Sequence, residues 1–335
     1  MKLKINRSEV KKIAVFRALQ LGDMLCAIPG IRALRKAYPQ AEIVLISLPW
    51  AQVLIDRFPQ YFDRLIPFGG YPGLPEHPFS AAEAVKFLQQ MQDERFDLAL
   101  QMQGNGTIVN PMISLWGARY EAGFRIHNYY SSDNKLFLLY PNGIHETEKH
   151  VLLMENLGIE EQGTHLEFPV LAEDKLELKK LELPVTARKY ACIHPGSRGA
   201  WRQWPAEHFA AIADMLAAQG LQIILTGTSG EAEITKAVKD KMKYPAIDLT
   251  GKTSLGAMGA LIRDAAMLVS NCTGVSHISA ALKTPSIIIS MDGEPERWGP
   301  QDTSIHYTFD WLAEQDLEVV LDAARILLNV TMRAA

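Results

Sequence analysis

The sequence contains no long hydrophobic run and no excess of basic charge, and each shortage excludes a class of protein. No apolar stretch approaches the roughly 18 residues that a membrane-spanning helix requires, and the N-terminus lacks the apolar core of a signal peptide. Lysine and arginine number 34 against 38 acidic residues, so the net charge of -4 provides no overall positive field for nucleic acid. We therefore expect a cytoplasmic protein that binds no nucleic acid.

Cysteine is also scarce, with three residues at Cys26, Cys192 and Cys272. They are odd in number and far apart, and none lies in a Cys-x-x-Cys pattern or a Cys/His cluster of the kind that binds zinc. The remaining composition, 48% hydrophobic and 21% charged, is that of an ordinary globular protein. The sequence predicts neither a disulfide framework nor a metal site, and a reducing compartment fits these thiols best.

The first residues carry several basic groups that suggest a peripheral membrane contact. Near an anionic membrane leaflet each Lys or Arg contributes about 1 kcal/mol to membrane binding. The alternative is a solvated basic tail. The groups concerned are Lys2, Lys4, Arg7, Lys11 and Lys12.

At 335 residues the chain exceeds the size at which a single core stops growing, so we expect two domains. In the first half, apolar runs at 12–17 and 43–46 indicate buried strands, and helical spacing over 24–37 links them into a βαβ unit. Such a unit requires a right-handed crossover and a parallel sheet. The pattern continues less regularly at 96–100 and 119–124.

The second half alternates strands and helices more clearly, which predicts a doubly wound parallel sheet. Ligands of such sheets bind outside the carboxyl ends of the strands, so the loops that follow these strands should lie on one edge. Predicted strands cover 190–194, 222–226, 247–249, 267–269 and 286–290, and predicted helices cover 206–219, 231–242, 255–265, 275–282 and 317–328.

The domain boundary is predicted from a charged stretch at 173–188, which is typical of a connection between domains. We predict an N-terminal domain over 1–180 and a C-terminal domain over 185–312. A final helical segment at 313–335 either returns to the first domain or completes the second. A segment rich in glycine and proline at 69–78 indicates a surface loop.

Two loops of the second half have the features of a phosphate-binding site. The loop after the strand at 190–194 carries Ser197, Arg198 and Arg202, and a helix opens at Pro205; its N-terminal N–H groups attract phosphate, and the arginines add charge. The alternative is a plain turn with solvated arginines.

The second loop follows the strand at 267–269. In it Thr273 is a candidate helix cap, Gly274 allows close approach of a ligand, and His277 lies in the first helical turn. Neither loop matches the dinucleotide or the Walker pattern, which weakens dehydrogenase and P-loop interpretations.

Asp23 is the candidate catalytic base of the first half. It lies where the first strand turns into the first helix, and there it could accept a proton from an attacking hydroxyl. The alternative role is an ordinary helix N-cap.

Six segments in collinear order resemble glycosyltransferase family 9, the heptosyltransferases of lipopolysaccharide core assembly. They are LGDMLCAIPGIRALRKAYP, HPGSRGAWRQWP, LTGTSGE, LTGKTSLGAMGALIRDA, LVSNCTGVSHISAAL and ERWGP. The resemblance implies an α/β GT-B architecture of two Rossmann-like domains facing across a cleft. It also implies inverting transfer of L-glycero-D-manno-heptose from an ADP-sugar donor to a lipid-linked saccharide acceptor. Such an acceptor suits a peripheral position on the cytoplasmic face of the inner membrane. We expect no obligatory metal or other cofactor, because cations and N–H groups can stabilise the leaving group and the sequence shows no acidic metal pair.

The resemblance also implies roles for individual residues, with Asp23 as the general base. Within the donor site, Ser197, Arg198 and Arg202 would contact the diphosphate, Glu231 the ribose, and the backbone of Thr253 the adenine. The implied donor-binding residues are Ser197, Arg198, Arg202, Glu231, Thr253, Cys272, Thr273, Gly274 and His277.

One position departs from the family pattern. Where the family has an aspartate that helps to hold the donor sugar, this chain has Cys272, and a thiol does not accept hydrogen bonds as a carboxylate does. This leaves open a changed donor or acceptor, or a nucleotide-binding homologue with reduced or lost transfer. A further alternative is a nucleotide-sugar epimerase of the same architecture, which would act without an acceptor.

Overall fold

The structure, a computed structural model, describes residues 5–334, with side chains described through residue 331. The chain divides between His165 and Leu166 into two compact units. Each unit contains one six-stranded sheet in which every pairing is parallel. The predicted α/β class with two doubly wound parallel sheets is therefore confirmed.

The sheet of the first unit has the strand order β3-β2-β1-β4-β5-β6. Its central strand is almost wholly buried, which explains the apolar run that predicted it. The strands are β1 (Lys12–Phe16), β2 (Glu42–Ser47), β3 (Arg64–Pro67), β4 (Leu98–Gln101), β5 (Tyr120–Arg125) and β6 (Phe137–Leu139). The helices are α1 (Leu21–Ala37), α2 (Gln52–Arg57), α3 (Ala81–Glu94), α4 (Val109–Ser114) and α5 (Glu146–Asn156).

Helix α1 begins earlier than the sequence predicted. It starts at Leu21 with Gln20 at the N-cap position, so Asp23 lies in the first turn of the helix and is not its N-cap. Helix α1 also packs closely on α5, because a Cβ at Gly30 would stand 3.1 Å from the Cβ of His150. This packing brings the start of α5 beside the edge of the sheet that carries Asp23.

The sheet of the second unit has the order β12-β11-β10-β7-β8-β9. Helix bounds agree with the predicted ones to within one or two residues, except that the last helix runs six residues further, to residue 334. The strands are β7 (Tyr190–His194), β8 (Gln222–Leu225), β9 (Ala246–Asp248), β10 (Met267–Asn271), β11 (Ser286–Ser290) and β12 (His306–Asp310). The helices are α6 (Ala172–Lys180), α7 (Ala206–Ala218), α8 (Ala232–Lys241), α9 (Leu255–Asp264), α10 (Gly274–Leu282), α11 (Pro295–Trp298) and α12 (Leu317–Ala334).

The last helix, α12, completes the second unit. Its side chains at Val320, Ala324 and Leu327 belong to the core formed by β7, β8, β10 and β11. Of the two placements that the sequence left open for the segment 313–335, the structure therefore has the second.

The segment 173–188 differs from its prediction, because most of it is the helix α6 rather than a connection. Helix α6 packs on α9 within the second unit, and the Glu177 carboxylate accepts hydrogen bonds from the backbone N–H and the hydroxyl of Ser254 at 2.9 and 2.6 Å. Most of the charged residues that resembled a linker thus lie on the outer face of a helix, while Asp174 is buried and accepts a hydrogen bond from the backbone N–H of Leu171 at 2.8 Å.

The basic groups of the first residues do not all form a solvated tail. Lys2 and Lys4 lie outside the described residues. Arg7 donates to the carbonyl of Gly158, and Lys12 lies in β1 with its ammonium paired to Glu94. These two cations are engaged within the first unit.

Three further findings concern expectations from composition. No helix within residues 5–334 is long and apolar enough to cross a membrane. None of the three cysteines is in a disulfide, and all three are buried. Burial raises the pKa of the Cys26 and Cys192 thiols well above the ordinary value.

Candidate functional site

The candidate donor site is built on the carboxyl ends of β7 and β10. These strands are neighbours, with His194 opposite Ser270 and Ile193 opposite Val269. Both strands therefore end at the same edge, as parallel strands do. The two phosphate-type loops, which follow these strands directly, consequently lie side by side.

Asn271, the last residue of β10, holds the two loops together. Its side-chain amide is 1% exposed and donates to the carbonyls of Pro195 and Gly196, at 2.7 and 3.3 Å. Its carbonyl oxygen accepts from the backbone N–H of Trp204 at 2.9 Å. One buried amide thus fixes both ends of the loop 195–204, and the sequence analysis did not single it out.

Arg202 joins the same two loops from the other side. Its Nη2 donates to the carbonyl of Cys272 at 3.4 Å, and its guanidinium lies 5.6 Å from the ring centre of Trp201, a side chain that is 67% exposed. The same Nη2 pairs with the carboxylate of Asp292. Arg202 is therefore anchored at the site, and Asp292 is a site residue that the sequence analysis missed.

The two other predicted diphosphate contacts differ in exposure. Ser197 is buried, and its backbone carbonyl accepts from the Gln203 amide at 3.0 Å, which closes the loop on itself. Arg198 is exposed to solvent. Its cation is therefore available to a ligand at the edge of the sheet.

The second loop opens helix α10 at Gly274, with Thr273 at the N-cap position. The Thr273 hydroxyl is buried and has no hydrogen-bond partner among the residues the structure describes, although the hydroxyl oxygen of a capping threonine usually accepts from a backbone N–H of the first turn. Its backbone carbonyl accepts from the hydroxyl of Ser276 at 2.7 Å. Behind it, His277 is buried with its ring edge-on to Trp298 at 6.3 Å.

Glu231 reaches the site from the loop after β8. Its carboxylate accepts from the backbone N–H and the hydroxyl of Thr228 at 2.7 and 2.9 Å, and a Cβ at Gly196 would stand 2.2 Å from its carboxyl carbon. A Cβ at position 196 would therefore require the Glu231 carboxylate to move. The His194 ring lies 3.9 Å from Glu231, and burial lowers the pKa of His194, so the ring is a neutral neighbour.

Thr253 lies on the same edge, in the turn between β9 and α9. Gly251, two residues before it, donates from its backbone to the carbonyl of Gly227 at 2.8 Å, which ties this turn to the loop after β8. Gly251 has φ +69°, a conformation that favours glycine. The loops after β7, β8, β9 and β10 thus form one continuous edge that carries all the predicted donor residues.

Cys272 is neutral in this setting. Its thiol is buried, and burial together with the nearby charge of Asp292 raises the pKa of Cys272 to about 12. The thiol is therefore protonated throughout the physiological range. The position that the family pattern gives to an acid carries no charge here.

In the first unit, Asp23 stands beside a buried arginine. Arg17, which is 1% exposed, follows β1 and donates from Nε to the backbone carbonyl of Asp23 at 2.8 Å. Its Nη2 lies 3.8 Å from the Asp23 carboxylate and 3.3 Å from that of Glu146. Glu146 also pairs with Lys149 at 3.0 Å. Asp23 was identifiable from the sequence, but the buried ion-pair network beside it was not.

The Asp23 side chain itself is a quarter exposed, at 25%. Its backbone is fixed while its carboxylate reaches solvent, which suits a proton acceptor. Within the described part of the chain, no group of three or more His, Cys, Asp or Glu side chains has the arrangement of a metal site.

Known proteins share the sequence pattern and the fold of this chain. The model of glycosyltransferase family 9 (heptosyltransferase) matches residues 84–316. The chain is 24% identical over 304 residues to lipopolysaccharide heptosyltransferase 2 of Escherichia coli K12, an alignment that covers 85% of this chain and 84% of that protein.

Two solved structures share the fold across nearly the whole chain. The ADP-heptose lipopolysaccharide heptosyltransferase II of E. coli superposes with a TM-score of 0.77 at 21% identity, covering 97% of this chain and 100% of that one. An E. coli heptosyltransferase with ADP superposes with a TM-score of 0.69 at 21% identity, covering 96% and 99%. The two α/β units therefore have the GT-B-like fold of these enzymes.

Proposed function

We propose, from the premise that this chain belongs to glycosyltransferase family 9, that it transfers a heptose from a nucleotide-sugar donor to a saccharide acceptor of the lipopolysaccharide core. One observation carries the proposal: the loop after β7, the start of α10 and the Arg202 guanidinium meet at one edge of the second sheet. Such a group of cations and helix N-termini is suited to a diphosphate.

ADP-L-glycero-D-manno-heptose is the proposed donor. Arg198, Arg202 and the N–H groups at the starts of α7 and α10 would hold its diphosphate. Glu231, already bound to the loop after β8, would accept hydrogen bonds from the ribose hydroxyls, and the turn at Thr253 would meet the adenine. An E. coli relative with the same fold is a heptosyltransferase with ADP, which supports this nucleotide.

The proposed reaction is a single displacement with inversion. The acceptor hydroxyl oxygen attacks the anomeric carbon while its proton passes to the Asp23 carboxylate, and the bond from the anomeric carbon to the diphosphate oxygen breaks to release ADP. Arg17 supports Asp23 in this role by fixing its backbone. The charge that grows on the leaving diphosphate is stabilised by the arginines and helix N-termini, at about 3 kcal/mol per well-placed donor.

Because these groups supply the positive charge, the proposed transfer needs no obligatory metal. The acceptor is proposed to be lipid-linked, which would place the enzyme at the cytoplasmic face of the inner membrane. Lys11, which is exposed, would contribute to that contact.

Substitution Asp23→Asn tests the proposed mechanism. We expect kcat to fall by about 10²- to 10⁴-fold, the usual contribution of a general base, while ADP binding measured by calorimetry stays within about twofold of wild type. Asp56→Asn is the matched control, since Asp56 is an exposed residue of the same unit whose carboxylate accepts a hydrogen bond from Gln52 of the same helix.

Turnover is followed by ADP release and by chromatography of the nucleotide sugar, with and without acceptor and with and without a chelator. Near-normal turnover of Asp23→Asn would remove Asp23 from the base role. Conversion of the donor without acceptor would favour the epimerase alternative, and loss of transfer on chelation would refute the metal-free reaction.

A further inference from the structure

Asp292 is a buried carboxylate at the donor site that the proposed reaction has not used. It follows β11, which is the neighbour of β10 in the sheet, and its side chain is 10% exposed. Its Oδ1 accepts from the hydroxyl of Ser290 at 2.8 Å and from the backbone N–H of Glu294 at 3.3 Å. Its own loop therefore holds one carboxylate oxygen and directs the other, Oδ2, at Arg202.

Arg202 uses its Nη2 nitrogen for the ion pair with Asp292. Nη2 contacts both Oδ2 of Asp292 and the carbonyl of Cys272, so the loops after β10 and β11 grip the same end of the guanidinium. A guanidinium has five N–H donors in a fixed plane. Once one end is held, the orientation of the remaining donors is set as well.

The neighbouring Cys272 side chain supplies no compensating charge. The local set is thus one cation, one carboxylate and one neutral thiol, all on adjacent loops. A second carboxylate here would share a single arginine with the first, and like charges in a buried place destabilise each other. The neutral residue at 272 and the acid at 292 are therefore compatible as a pair.

We propose that Asp292 is the positioning residue that orients Arg202 toward the donor diphosphate, and that it supplies from the β11 loop the negative charge that position 272 lacks. The inference rests on the proposed function, because it assigns Arg202 to the diphosphate. It gives Arg202 an acidic partner on the β11 loop in a chain whose position 272 is neutral.

Four proteins test this inference: wild type, Asp292→Asn, Cys272→Asp and the double variant. Each is assayed for kcat, donor KM and ADP binding, and thermal melting gives the folded fraction. Asp292→Asn should lower kcat by about tenfold or more with donor KM changed less than about threefold, since a misplaced catalytic group costs up to about a hundredfold and Arg202 acts on charge that grows in the transition state.

Cys272→Asp alone should also lower kcat by about tenfold, because two carboxylates would then compete for Arg202. The double variant should recover to within about threefold of wild type, since it again has one acid and one neutral residue. A merely structural role for Asp292 predicts the opposite, with the double variant worse than either single variant. Asp240→Asn is the control, because it breaks an exposed ion pair with Lys236 in the same unit.

The outcomes separate this inference from the proposed function. Wild type that neither binds ADP nor transfers a sugar would overturn both. Active wild type with an unchanged Asp292→Asn variant, or a double variant that shows the product of the two single losses, would overturn the inference alone. Recovery in the double variant would support it.

Discussion

Removing the Asn271 side chain should disrupt the donor site from within. Asn271→Ala abolishes three hydrogen bonds, of 2.7, 3.3 and 2.9 Å, and leaves the carbonyls of Pro195 and Gly196 and the N–H of Trp204 without their partner in a buried place. Each such orphaned group costs about 1–3 kcal/mol. Because water will reach part of the space left by the side chain, we expect a total loss of about 3–5 kcal/mol.

The loss of stability should be measurable in the melting of the second unit and in hydrogen exchange at the Trp204 N–H. For a unit of this size about 1 kcal/mol corresponds to about 2–4 °C in Tm, so calorimetry should show the second unit melting about 10 °C earlier. Hydrogen exchange at the Trp204 N–H should accelerate by at least about tenfold, since tenfold corresponds to about 1.4 kcal/mol. ADP binding should weaken in parallel, because the loop 195–204 carries three of the proposed diphosphate contacts.

Two comparisons sharpen the result. Asn329→Ala is the control, since Asn329 is an exposed residue of α12 and alanine favours a helix; its Tm should not fall. Asn271→Asp keeps the acceptor for Trp204 and replaces the amide donor with an oxygen, so it should keep the Trp204 N–H protected while destabilising the 195–196 end. A loss below about 1 kcal/mol in Asn271→Ala, with unchanged exchange at Trp204, would refute the reasoning.

Three further changes test other parts of the structure. Gly196→Ala forces a Cβ to within 2.2 Å of the Glu231 carboxyl carbon and should weaken ADP binding about tenfold, whereas Gly230→Ala, whose nearest neighbour is 3.8 Å away, should bind normally; calorimetry compares them. Glu146→Gln weakens the buried pairing of its arginine partner and should lower the free energy of unfolding by about 3 kcal/mol in urea; a loss under about 1 kcal/mol would show that this pair adds little to folding. Burial lowers the pKa of His306 from 6.5 to about 4, so the unfolded chain binds more protons between these values; stability should fall by about 3 kcal/mol as pH drops from 6.5 to 4, and His306→Gln should flatten that dependence in urea titrations.

The central strands of both sheets could be predicted because burial on both faces produces unbroken apolar runs. Strand β7 is buried throughout and β10 likewise, and their sequences have little but apolar residues. The edge strands β3, β6 and β12 were missed. Strand β6 has three residues, and the residues of β3 and β12 are mostly half-buried and mix polar with apolar side chains. Helix α6 was missed because most of its charged residues face outward and left too little apolar periodicity to distinguish it from a linker.

Only those parts of the site that lie close together in the sequence, within one loop, could be predicted. Arg202 and Gly274 were identifiable because each lies in a short motif at the start of a helix. Asp292 lies 90 positions from Arg202. Glu146 lies 129 positions from Arg17. Only the register of the sheet and the packing of α5 on α1 bring such partners together, and a single sequence contains no signal for either.

Because all three thiols are buried in the folded chain, their reactivity reports unfolding. A thiol that is protonated and covered cannot react with an alkylating reagent, so the folded chain should remain unlabelled until the surrounding structure separates. Cys26 lies in the first unit, and Cys192 and Cys272 lie in the second. Mass spectrometry of the alkylated peptides would therefore time the unfolding of each half independently, with no engineered label.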